Sequence, residues 1–224
     1  MKIQIAGLST AEDVAFAFEE GVDSVGFTVG LPDGPHDGLT EEMVGTIVDG
    51  LPPLLAAVTI TYERTLGGLL RMLRTCRTPV LQAHGAHDRD TILRLKGEMP
   101  HLKVIKSITV TDRDSALGEV SAWESVADCL ILDSLDSLSG RLGATGLVHD
   151  WNISRGIVEI SSLPVILAGG LTPENVAEAI DAVRPWGVDV HTGVEIDGRF
   201  SRERLSAFVR EVRAVPWRSS TPIV

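Results

Sequence analysis

The stretch Leu163-Pro164-Val165-Ile166-Leu167-Ala168-Gly169-Gly170-Leu171-Thr172-Pro173-Glu174-Asn175-Val176 decides the fold. Its apolar half is short and does not alternate with polar residues, the pattern of a parallel strand covered on both faces. The glycine pair lets backbone N–H groups approach a ligand with no side chain in the way. Beyond it, Thr172 suits the N-cap, Pro173 the first helical position, and Glu174 complements the helix dipole. A strand therefore feeds a helix through Gly169 and Gly170, and the free N–H groups at that join favour phosphate.

A second join of the same kind follows at Gly187-Val188-Asp189-Val190-His191-Thr192-Gly193-Val194-Glu195, a strand ending in another glycine turn. In a parallel barrel the loops after the last two strands often hold one phosphate between them. Working outward, the same alternation runs back to the N-terminus. Strands are expected at residues 3–7, 21–29, 54–61, 79–84, 103–109 and 128–134. Helices are expected at residues 11–20, from 40 onward, and at 62–75, 88–97, 116–126, 150–160 and 201–213. A loop rich in Gly, Pro, Asp and His follows the second strand, and a polar loop at residues 135–146 follows the sixth. Loops of this kind carry substrate contacts or act as lids. Eight strand–helix repeats predict an α/β fold, a single (β/α)8 TIM barrel over residues 1–215 with a loosely held tail at 216–224. The site then belongs at the C-terminal ends of the strands.

A chain of 224 residues, 44% of them hydrophobic, can bury one large core. The formal net charge of -11 speaks against nonspecific nucleic-acid binding, which needs clustered Lys and Arg, so no nucleic-acid partner is expected. Cys76 and Cys129 lie far apart with no metal-ligand spacing around either, so both read as core residues and neither metal nor cofactor is expected. No apolar run approaches the ~20 residues that cross a bilayer, which predicts a soluble cytoplasmic protein with no membrane partner. Monomer and homodimer are both compatible with the sequence.

Ala168-Gly169-Gly170-Leu171-Thr172-Pro173-Glu174-Asn175-Val176 together with Arg184-Pro185-Trp186-Gly187-Val188-Asp189-Val190 strongly resembles phosphoribosylanthranilate isomerase, the (β/α)8 isomerase of tryptophan biosynthesis. The resemblance runs from Ile3 to the region of Val212. It implies a phosphate grip at Gly169, Gly170, Thr192 and Gly193. It also implies a glycine loop over bound substrate at Gly143-Ala144-Thr145-Gly146, with Gly143, Thr145 and Gly146 as contacts. Asp133, at the end of the sixth strand, matches the family's general acid; its structural alternative is a cap on the following loop. Gln82 and His84 are expected to line the substrate, His84 matching a histidine that the family also has.

The departures gather on one face. The family's first strand ends in Lys-x-Cys-Gly, whose cysteine is the general base; here the residues are Gln4-Ile5-Ala6-Gly7. Alanine takes no proton, so the group that removes the C2 proton in an Amadori rearrangement is missing from its expected place. Where the family presents Ser-Pro-Arg to the anthranilate carboxylate, this chain has Gly34-Pro35-His36, and a histidine offers one bond in place of a bidentate fork. Where the family has Ser-Ser-Gly-Val-Glu, this chain has His191-Thr192-Gly193-Val194-Glu195, and where it has Phe-Asp-Trp this chain has His149-Asp150-Trp151. Histidine exchanges protons near neutral pH, so His36 and His191 are candidate catalytic groups beside Asp133.

The expected function is that of an isomerase-like enzyme on a phosphorylated ribosyl or sugar-phosphate small molecule, with altered substrate and the cysteine base replaced. Two alternatives stand beside it. One is a lyase or other carbon-skeleton enzyme that uses Asp133 or an imine on Lys106; the other is a phospholigand-binding descendant without turnover.

Overall fold

Eight short parallel strands pair in sequence order until the last meets the first, which closes a barrel. They are β1 (Lys2–Ala6), β2 (Ser24–Thr28), β3 (Ala56–Thr61), β4 (Val80–Ala83), β5 (Lys103–Thr109), β6 (Cys129–Asp133), β7 (Val165–Leu167) and β8 (Gly187–Val190). The helices are α1 (Ala11–Glu19), α2 (Glu41–Asp49), α3 (Leu66–Cys76), α4 (Arg89–Glu98), α5 (Arg113–Trp123), α6 (Trp151–Ile160), α7 (Val176–Val183) and α8 (Arg202–Ala214). A small antiparallel hairpin, β9 (Glu195–Ile196) and β10 (Arg199–Phe200), precedes α8. The structure, a computed structural model, describes residues 1–31, 39–134 and 149–216. The loop holding His36, the glycine loop holding Gly143, Thr145 and Gly146, and residues 217–224 of the expected tail lie outside the described residues.

Strand parity divides the core. Ile3, Ile5, Val104, Ile108, Leu130 and Val188 face outward and pack with the helices into one large apolar layer. Ala6, Ile60, Ile105, Ile131, Ile166 and Ala168 face the lumen in a second, smaller cluster. Lys106 falls between Val104 and Ile108 on the outward face. Its ammonium lies 5.3 Å from the Trp123 ring centre on α5 and donates to the Gly85 carbonyl at 2.9 Å. The imine reading of Lys106 is thereby corrected: even parity on β5 turns the side chain out of the lumen, between barrel and helices, where its ammonium is engaged by Gly85 and Trp123.

Three helix starts also depart from expectation. The third helix begins at Leu66, later than residue 62, because Thr65 caps it by accepting from the Gly68 N–H at 3.1 Å. The fifth helix begins at Arg113, earlier than residue 116, because Asp112 caps it by accepting from the Ser115 N–H at 2.9 Å. The seventh helix begins at Val176, not at Pro173, with Asn175 in the N-cap position and no side-chain cap bond. Asn175 is engaged elsewhere. Its Oδ1 accepts from the Thr172 N–H at 2.8 Å and its Nδ2 donates to the Gly170 carbonyl at 2.9 Å, so residues 172–175 form a turn held from below.

At the N-terminal mouth of the barrel, opposite the strand ends that face the loops, Ala56, Val80, Ile105, Ile166 and Trp186 surround a cavity of roughly 570 Å³. Leu54, 87% exposed, stands at its edge. No described helix is long and apolar enough to cross a membrane.

Candidate active site

The two glycine turns meet at the C-terminal end of the barrel. Gly169 and Gly170 have φ of 79° and 66°, a region that side chains strain to adopt. A Cβ on Gly169 would run into the Ser134 hydroxyl after β6, and one on Gly193 would run into the Leu171 carbonyl. The turns after β6, β7 and β8 are thus packed backbone against backbone, which only glycine permits. Thr192–Val194 forms a short 3-10 turn. Arg204 of α8 ties the turns from behind: Nε donates to the Gly193 carbonyl at 2.9 Å, and the guanidinium grips the Glu174 carboxylate at 3.1 and 2.9 Å. Glu174 is consequently pulled down to about 2, first by its bonds to Arg204.

Asp133 closes β6 facing the lumen, only 7% exposed. Its Oδ1 accepts from the Ser134 N–H at 2.8 Å. Burial pushes its carboxyl up to about 6, against the pull of that bond. A carboxyl that titrates so near neutrality can give a proton at physiological pH.

His191 stands beside Ala6. The β1–β8 register pairs Ile5 with Val190, and one further step sets His191 against Ala6. The imidazole lies directly on Gly7, whose absent side chain makes room for it. Glu195 Oε1 faces His191 Nε2 at 3.3 Å, so a carboxylate orients the ring.

The other histidines have different work. His149 is held between two hydroxyls, with Ser134 Oγ at 3.0 Å from Nδ1 and Ser154 Oγ at 2.6 Å from Nε2. Burial depresses it to about 4, so it stays neutral and joins the end of β6 to α6. His84 and Gln82 belong to a line of polar side chains across the lumen. Ser24 Oγ donates to Gln4 Oε1 at 3.3 Å, Gln4 Nε2 to Gln82 Oε1 at 2.7 Å, and Gln82 Nε2 lies 2.8 Å from His84 Nε2. His84 is pushed down to about 3, first by burial and then by the charge of Lys106, and its ring sits 5.4 Å from Tyr62.

The structure therefore gathers Asp133, His191, Gly169, Gly170, Thr192 and Gly193 at one end of the barrel, with Gln82 and His84 in its lumen. Sequence reading passed over three contributors: Asn175 and Arg204, which set the glycine turns, and Asp189, buried in the lumen on β8. The parity of Asp189 among Val188 and Val190 was the available signal. For Arg204 there was none, since a charged helix reads as a solvated face. Among the described residues no group of three or more His, Cys, Asp or Glu could hold a metal ion.

These features define a class, the closed (β/α)8 barrel with its candidate site at the C-terminal strand ends. The model for the family described as N-(5'phosphoribosyl)anthranilate (PRA) isomerase matches residues 3–211. The chain belongs to that family, the isomerases of tryptophan biosynthesis. It is 37% identical over 213 residues to N-(5'-phosphoribosyl)anthranilate isomerase of Methanocella arvoryzae, covering 95% of this chain and 98% of the relative. The crystal structure of phosphoribosyl anthranilate isomerase from Thermus thermophilus aligns with a TM-score of 0.80 at 25% identity, over 96% of this chain and 99% of that one. A structure from Thermotoga maritima, described as monomers of a dimeric phosphoribosylanthranilate isomerase, aligns at 0.79 with 23% identity, over 95% and 98% of the two chains.

Proposed function

We propose that this family member carries out acid–base isomerisation of a phosphorylated ribosyl compound with a histidine, His191, in place of the family's thiol, and on an altered substrate. Asp133 protonates the ring oxygen of the sugar as the C1–O bond breaks, and the nitrogen lone pair on C1 forms the iminium. His191 then takes the C2 proton, and the C–H electrons move into a C1=C2 enaminol that relaxes to the ketose. The phosphate rests on main-chain N–H groups of the turns at Gly169, Gly170, Thr192 and Gly193. The observation that carries this reading is the imidazole seated on Gly7 beside Ala6, held by Glu195.

The altered substrate follows from Gly34-Pro35-His36, where the carboxylate-binding arginine of the family is replaced. Steady-state assay with phosphoribosylanthranilate is the direct test. Weak turnover that disappears in His191→Asn supports the reading; robust turnover that survives His191→Asn sinks it.

For assembly we infer a homodimer. The N-terminal mouth presents both a cavity and, at its edge, the exposed Leu54, so one two-fold contact can place each copy's Leu54 in the other's cavity.

A further inference from the structure

On the reading that Asp133 is the acid, we propose that His149 is a positioning residue that acts through Ser134: the imidazole, anchored on Ser154, fixes Ser134 so that its N–H holds the Asp133 carboxyl in place.

The contacts run in one line from α6 to the end of β6. Ser154 Oγ lies 2.6 Å from His149 Nε2, and His149 Nδ1 lies 3.0 Å from Ser134 Oγ. The Ser134 N–H then donates to Asp133 Oδ1 at 2.8 Å. A neutral imidazole donates from one nitrogen and accepts at the other, and a hydroxyl does either, so both serine bonds form at once. Burial keeps the ring neutral by lowering it to about 4, against the pull of Asp150. The far end of the line is firm, since Ser154 is fully buried and shares the packed face of α6 with Ile157.

Ser134 is where the line can act on the acid. The strand ladder ends with Asp133 paired to Thr109, so Ser134 is placed by its side chain and not by the sheet. On one side it abuts the Gly169 turn, where its hydroxyl and N–H occupy the place a Cβ on Gly169 would take. On the other it rests on His149. The Ser134 N–H favours ionised Asp133 and opposes the burial that raises that carboxyl to about 6. A Ser134 free to swing would leave the carboxyl free to rotate and to keep its proton to higher pH.

The residue types make this line a departure from the family pattern. His149 stands where that pattern has phenylalanine, and a phenyl ring offers two buried hydroxyls neither donor nor acceptor. Few other ionisable groups bear on it. Asp150 caps α6 next to the ring, Asp189 lies two strands along the barrel on β8, and Lys106 is turned out of the lumen to Gly85.

The test is a carboxyl-carbon NMR titration of the full chain with labelled aspartate. It is paired with kcat and KM against pH on phosphoribosylanthranilate, for wild type, H149F, H149N, S134A, the double variant of H149F with S134A, and D133N. H149F should raise the Asp133 midpoint by about half a pH unit and carry the alkaline limb of kcat up with it. It should also lower kcat roughly tenfold while KM stays within about twofold. H149N, whose amide reaches Ser134 from nearly the place of Nδ1, should restore the midpoint and the limb. S134A should repeat H149F, and the double variant should move no further than either, because the two residues act in one line. An Asp133 midpoint unmoved in H149F or in S134A overturns the proposal, as does a further shift in the double variant or an H149N no better than H149F. Turnover that survives D133N overturns instead the acid assignment, and the midpoint, read without substrate, separates that failure from the first.

Discussion

Ala6 stands at the inward end of β1 beside His191, and on the proposed function the chemistry at that point is open to restoration. Ala6→Cys should raise turnover of phosphoribosylanthranilate, and in the double variant with His191→Asn the activity should persist, because the thiol then removes the C2 proton. Steady-state rates of the four combinations decide this. Asp133→Asn should lower kcat by roughly 10²-fold or more, the usual scale of a lost general acid, with KM little changed. Asp133 and His191 were candidates from the sequence because one closes a strand and the other follows one directly, at the barrel end where chemistry sits. Asp189 was not. It reads as one polar residue in an apolar strand, and only the register of three strands shows that it shares a row with Asp133.

Among the elements, the turns after β7 and β8 depend on residues outside them. Asn175 supplies both bonds that fix Gly170 and Thr172, so Asn175→Ala should cost about 1–3 kcal/mol by denaturant unfolding and weaken phosphate binding. Arg204 joins Gly193 to Glu174 from α8. Arg204→Ala should raise KM roughly tenfold, in line with a lost charge-assisted bond, and leave kcat near wild type. Inorganic phosphate titrated by calorimetry reports the same loss without turnover. The helix expected to start at Pro173 starts later for a related reason: Asn175, a good capping residue, turns its side chain back on the glycine turn instead of forward on the helix.

For the whole molecule, buried titrating groups set opposing pH dependences. Asp133 and Asp189 have folded values raised to about 6 and about 7, so the folded state holds protons that the unfolded chain has released. Their contribution is fully present below the ordinary carboxylate range and is lost as pH rises toward neutrality. His84 and His149, lowered to about 3 and about 4, act the other way: their contribution is present above the ordinary histidine value and is lost as pH falls through those values. Asp189→Asn should therefore stabilise the protein above neutral pH by at least about 1 kcal/mol, each unit of displacement being worth about 1.4 kcal/mol, and stabilise it less in acid. Thermal melts across pH would show a gain that grows with pH. Leu54→Asp should leave a folded barrel while shifting the species seen by light scattering toward the monomer.

The local sequence alone determined the strand–helix alternation, the glycine turns and the order of the barrel, because each follows from period, punctuation and capping within a few residues. The resemblance then marked Asp133 as the candidate acid and Ala6 as the departure from the family's cysteine. What neighbours what across strands was decided only by tertiary structure: His191 on Gly7, Arg204 behind Gly193, Asp189 in line with Asp133, Lys106 turned outward. Barrel closure brings β8 beside β1, residues nearly the whole chain apart, and no local pattern encodes the register at which they meet.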